Sequence, residues 1–116
     1  MTPGVKDILE VLKAIQVVIP ETSEVSEYLL AHSDLSCLIS PICSKLIKTF
    51  SDDAKLFLEV YRDPEIHDEY LTIYIRKNEY EKMILDRIDE AMSEFEPALG
   101  SASGWLLVTT DFLLPK

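Results

Sequence analysis

Bases are scarce in this 116-residue chain: 11 Lys and Arg stand against 21 Asp and Glu, a net charge of -10. A protein held on nucleic acid by phosphate contacts needs clustered cations, so the balance excludes that mode. It also excludes anchoring on an anionic membrane. The two cysteines, Cys37 and Cys43, are too few for a disulfide framework, which makes a reducing cytosol the expected compartment. No apolar run reaches the ~18 residues needed to span a bilayer. Met1 to Leu12 lacks the basic start and unbroken apolar stretch of a signal peptide. The three glycines (Gly4, Gly100, Gly104) form no phosphate-binding loop, and no G-x-S-x-G elbow occurs.

What is present is a globular composition, 47% hydrophobic and 28% charged, of a length that suits one domain over 1–116. A first helix is expected from Thr2-Pro3, with Val5, Ile8, Leu9, Leu12 and Ile15 on one stripe and Pro20 as its stop. Thr22 or Ser23 opens a second helix carrying Val25, Tyr28, Leu29 and Leu30. His32-Ser33-Asp34 reads as a break. A third segment follows, with Leu35, Leu38, Ile39, Ile42, Leu46, Ile47 and Phe50 apolar. Pro41 inside it predicts a bend or a split into two helices.

Beyond Asp53 the period shortens to two. Leu56, Leu58 and Val60 alternate with Phe57, Glu59 and Tyr61; Leu71, Ile73 and Ile75 alternate with Tyr70, Thr72 and Tyr74. Two strands joined by the polar Asp63–Glu69 loop form an antiparallel hairpin. Asn78 with Glu81 resembles a capping box ahead of a helix from Glu79 to about Phe95, which Glu96-Pro97 ends. Residues 100–104 read as a flexible link, and Trp105 to Phe112 as a third strand. The fold class is therefore α+β: a helical layer over 1–50 and a ββαβ unit over 51–116, with a three-stranded sheet packed by helices. The third strand is placed beside the first, which makes the sheet antiparallel; a place beside the second, making it mixed, is the alternative.

If Leu56, Leu58, Val60, Leu71, Ile73 and Ile75 face the core, then Phe57, Tyr61, Tyr70 and Tyr74 share the other face. Aromatics there serve as anchors for a partner, or simply stabilise a sheet through cross-strand pairs. Acids cluster in the same half. Residues 1–50 hold 6 acids and 4 bases; residues 51–116 hold 15 and 7. Asp63, Glu65, Asp68 and Glu69 lie in one loop, while Asp86 and Glu90 form a like-charged i,i+4 pair on the following helix. Such a surface steers a basic partner, or does no more than keep the chain solvated.

Metal readings are poor. The acidic loop lacks the spacing and glycine of an EF-hand, and His32, Cys37 and Cys43 offer no zinc spacing. The cysteines read as small core residues. No cofactor, metal or catalytic set is assigned.

The run Asp53 to Glu65 (DAKLFLEVYRDPE), with Tyr70 to Arg76 (YLTIYIR), resembles a group of small uncharacterised prokaryotic proteins. In that group a helical first half leads into a strand, an acidic D-P-E loop and a second strand. The likeness covers about half the chain and implies the same α+β layout, with no established activity. It is associated with partnered genes of toxin–antitoxin type. Pro41 departs from the group, which has an uninterrupted helix there.

The expected function is a non-catalytic protein-interaction module of the cytosol, an inhibitor- or antitoxin-like partner of a basic protein. Phe57, Tyr61, Tyr70 and Tyr74 would be its anchors, and the acids Asp63, Glu65, Asp68, Glu69, Asp86 and Glu90 would steer the partner. One competing expectation is a small-ligand binder or enzyme with a pocket near His67, Cys37 or Cys43. The other is a homodimer that self-associates through the aromatic face or an edge strand.

Overall fold

The structure is a computed structural model that describes residues 4–50, 54–63, 65, 68–77, 82–102 and 104–110. The chain is α+β. Helices α1 (Val5–Ala14), α2 (Thr22–Ala31) and α3 (Ser33–Phe50) precede strands β1 (Ala54–Asp63) and β2 (Asp68–Lys77). Then come α4 (Ile84–Met92), a 3-10 turn (Ser93–Phe95), α5 (Glu96–Ser101) and β3 (Leu106–Thr109).

The apolar stripe of α1 buries Ile8, Leu9 and Leu12. The helix ends well before Pro20. Gln16 takes a left-handed φ of 71°, and the Val17 N–H reaches back to the Leu12 carbonyl at 2.9 Å, closing the last turn. The β-branched run Val17-Val18-Ile19 then favours extended backbone. Val18 forms a parallel bridge with Phe57: its N–H donates to the Leu56 carbonyl at 2.8 Å, and its carbonyl accepts from the Leu58 N–H at 2.9 Å.

The break at His32 is present, with φ -130° and ψ 68°. Ser36 Oγ donates to the Ser33 carbonyl at 2.7 Å just beyond it. α3 runs unbroken for 18 residues through Pro41. Proline removes the hydrogen bond to the Cys37 carbonyl. Both residues lie on the exposed side of the helix, where solvent can reach the freed carbonyl, so the helix need not split.

β1 and β2 form the expected antiparallel hairpin, with Phe57 opposite Tyr74 and Tyr61 opposite Tyr70. The placement of the third strand is corrected. Strand order is β1-β2-β3, and β3 pairs parallel with β2, Leu71 opposite Leu106, which makes the sheet mixed. The physical reason lies at the other edge, where the Val18 segment already takes backbone bonds from β1. Glu96-Pro97 is a second correction: it begins α5 instead of ending the preceding helix. Proline suits a first helical turn because the N–H it lacks would have no partner there. Gly100 and Ser101, expected in a link, are helical. The capping residues Asn78 and Glu81, and the strand residues beyond Thr110, lie outside the described residues.

One hydrophobic core joins the helices to the inner sheet face. Leu12, Leu29, Leu35, Ile39, Leu46, Leu58, Leu71, Ile73 and Ile75 are fully buried in it. Among the described residues no helix is long and apolar enough to cross a membrane.

Candidate functional site

The residues opposite the core face are graded in exposure along the sheet. Phe57 is buried but stands apart from the main core. The Arg76 guanidinium lies 4.2 Å from its ring centroid and 5.5 Å from that of Tyr74. This cation–π arrangement shields the apolar ring with a charged cover. Thr72, in the middle strand, is 1% exposed, and its hydroxyl has no hydrogen-bond partner. Towards the hairpin turn the face opens. Tyr61 is 42% exposed and stacks on Tyr70, with centroids 5.0 Å apart and planes at 29°. The pair follows from the register, since directly opposed aromatics on one face fall within stacking reach.

Charge gathers at the same end. Arg62 Nε donates to Glu69 Oε2 at 2.7 Å, and a terminal guanidinium nitrogen donates to Glu24 Oε1 at 3.0 Å. The Glu69 hydrogen bond, then the Glu24 charge, holds Arg62 above its usual pKa. These pairs are solvent-exposed, so they orient side chains more than they stabilise the fold. Glu24 belongs to α2, so tertiary structure adds an acid from the helical half to the hairpin acids. Glu65 is exposed at the turn; Asp63 and Asp68 face each other in the strand register. Pro64, Ile66 and His67 lie outside the described residues.

Asp86 and Glu90 sit elsewhere. They are exposed on α4, where Arg87 donates to the Thr49 carbonyl and stacks 4.7 Å over Phe50. Glu90 lines a cleft of about 390 Å³ with Lys45 and Arg87, and Lys45 pairs with Glu94 at 3.1 Å. α4 follows the Lys77 end of β2. A ten-residue strand spans ~30 Å, so this end stands far from the hairpin turn. The acidic loop and the acidic helix are therefore two surfaces, and the second is interleaved with bases.

A larger cleft, about 580 Å³, opens between α2, α5 and β3 and includes Tyr28, His32, Glu69, Gly104 and Trp105 in its lining. Tyr28 builds it. Its hydroxyl accepts from the Trp105 N–H at 2.9 Å and donates to the Trp105 carbonyl at 3.3 Å. Its ring lies 4.5 Å from that of His32. Gly104 lets the chain pass close to His32 and Leu35: a Cβ there would come within 2.9 Å of both His32 Cγ and Leu35 Cδ2 and push them aside. No known protein family, curated protein or solved structure matches the chain. The cleft must therefore be read from its own chemistry.

The cysteines do not converge on either cleft. Cys37 is exposed on α3, whereas Cys43 is buried and desolvation pushes its thiol up to about 12. The core reading holds for Cys43 and is corrected for Cys37, which the helix turns outward. Sequence reasoning missed the contacts that join Tyr28, His32 and Trp105. Tyr28 and Trp105 are separated by 77 positions, and no local pattern connects them. The one available signal was a glycine placed immediately before the chain's single tryptophan.

Proposed function

We propose that this chain is an acidic, non-catalytic protein-interaction module of the cytosol, an inhibitor- or antitoxin-like partner of a basic protein. Its docking surface is the hairpin end of the sheet. The observation that carries this reading is the exposed Tyr61–Tyr70 stack at the end of the hairpin where Glu65 is exposed at the turn and where Glu24 and Glu69 gather on the opposite, helix-facing side of the sheet. Aromatic side chains bury large area at low entropic cost and are enriched among residues that dominate binding energy. Carboxylates gathered at this end of the sheet attract a cationic surface and reject an anionic one. Asp86 and Glu90 contribute to the long-range field and not to this contact.

The test is capture of partners from native lysate by the immobilised chain at low and at 1 M salt, beside a Tyr61→Ala, Glu65→Gln variant. At 1 M salt the screening length falls to ~3 Å, so attraction between exposed charges is lost. The expected result is a basic protein captured at low salt, released at high salt and lost in the variant. Capture that ignores both salt and the variant refutes the reading.

A further inference from the structure

The cleft between α2, α5 and β3 has a chemical bias that the hairpin surface alone does not require. Two aromatic rings, Tyr28 and His32, form part of its wall, and Trp105, 68% exposed, stands at its rim. Glu69 supplies a carboxylate. Its described lining contains no Lys or Arg. Aromatic faces attract cations through the ring quadrupole, and a carboxylate adds a charge-assisted hydrogen bond. Arg62 already shows the last of these, with its Nε 2.7 Å from Glu69 Oε2. The cleft volume lies within the ~300–1,000 Å³ typical of ligand sites.

We propose that this cleft receives a cationic side chain, arginine or lysine, from the basic partner of the preceding section. The inference rests on that reading and deepens it. The Tyr61–Tyr70 stack supplies the broad contact, and the cleft supplies the pocket that recognises one residue. Glu69 belongs to the cleft and pairs with Arg62 of β1 on the helix-facing side, while Tyr61 and Tyr70 lie on the other side of the same hairpin end.

Trp105 is the only tryptophan, so its emission reports this cleft directly. The full chain is titrated with N-acetylarginine amide, and with N-acetylnorleucine amide as the uncharged comparator. The expected result is a saturable change in Trp105 emission with the arginine compound alone. Glu69→Gln should weaken binding roughly fivefold, the loss of one exposed charge pair. Glu10→Gln, the same charge change on an exposed site of α1, should leave it unaltered. Gly100→Lys is the decisive variant. A Cβ at Gly100 meets nothing within 4 Å, so the side chain enters without strain and presents its own ammonium to the cleft. It should abolish the arginine response while the fold survives.

An equal response to norleucine, no saturable response to arginine, or an unchanged response in Gly100→Lys overturns the proposal. The two readings also fail separately. If Gly100→Lys captures the basic partner as well as the parent does, the cleft proposal falls and the hairpin reading stands. If the parent captures no basic protein yet binds the arginine compound through Glu69, the hairpin reading falls and the cation site is supported.

Discussion

Removing a single oxygen from Tyr28 should loosen the third strand without disturbing the core. Tyr28 is 4% exposed, and its ring packs among core residues that Phe would also satisfy. The change in Tyr28→Phe is therefore confined to two hydrogen bonds. The Trp105 N–H loses a partner at 2.9 Å, whereas the Trp105 carbonyl loses a longer contact of 3.3 Å and keeps the Leu71 N–H at 2.9 Å. A neutral hydrogen bond contributes about 0.5–1.5 kcal/mol net, and an unsatisfied donor costs more only when water is excluded. Trp105 is 68% exposed, so water can reach its amide and keeps the loss towards the lower end. The expected destabilisation is about 1–2 kcal/mol. For a chain of this length it corresponds to a fall in Tm of roughly 3–10 °C. Urea unfolding followed by Trp105 fluorescence and by far-UV circular dichroism measures it. Hydrogen exchange at the Leu71 amide, which bonds to the Trp105 carbonyl, should quicken in the variant. A stability unchanged within 0.3 kcal/mol together with unaltered exchange would refute the idea that Tyr28 clamps β3.

Three further outcomes are expected. Thr72→Val should stabilise the fold by about 1 kcal/mol, because it replaces a buried hydroxyl that has no partner with a methyl of similar shape; a urea midpoint at or below the parent's would contradict this. In the native protein at pH 8 a thiol reagent should modify Cys37 alone, and Cys43 only after denaturation. The Cys43 thiol ionises near 9.0 when unfolded and at about 12 when folded, so stability should fall as pH rises above 9; two equally fast thiols in the native state would count against its burial.

The Tyr28 clamp marks where local patterning stops being informative. Helical stripes and strand alternation are properties of neighbours in sequence, and they located α1 to α3, the hairpin and the α+β class. Local chemistry with two readings misled. Glu96-Pro97 serves equally as a stop and as a first turn, and which role it takes depends on whether α5 has something to pack against. The Val17–Ile19 run lies too close to a helix and is too short to stand as a strand by itself. Only the Leu56 and Leu58 backbone groups of β1 give it partners.

By itself, the sequence determined the helical first half, the hairpin and its core face, the shared outer face of its tyrosines and the acidic character of the chain. Those follow from side-chain period and composition, which act over a few residues. Tertiary structure alone decided three things. It set β3 parallel beside β2, because the far edge of β1 was already engaged by Val18. It divided the acids into a hairpin group joined by Glu24 and an α4 group interleaved with bases. It also built the cleft, by bringing Trp105 back across 77 positions to Tyr28. Each depends on which backbone and side-chain groups are left unpaired once the helices and the hairpin have packed, and that is a property of the whole chain.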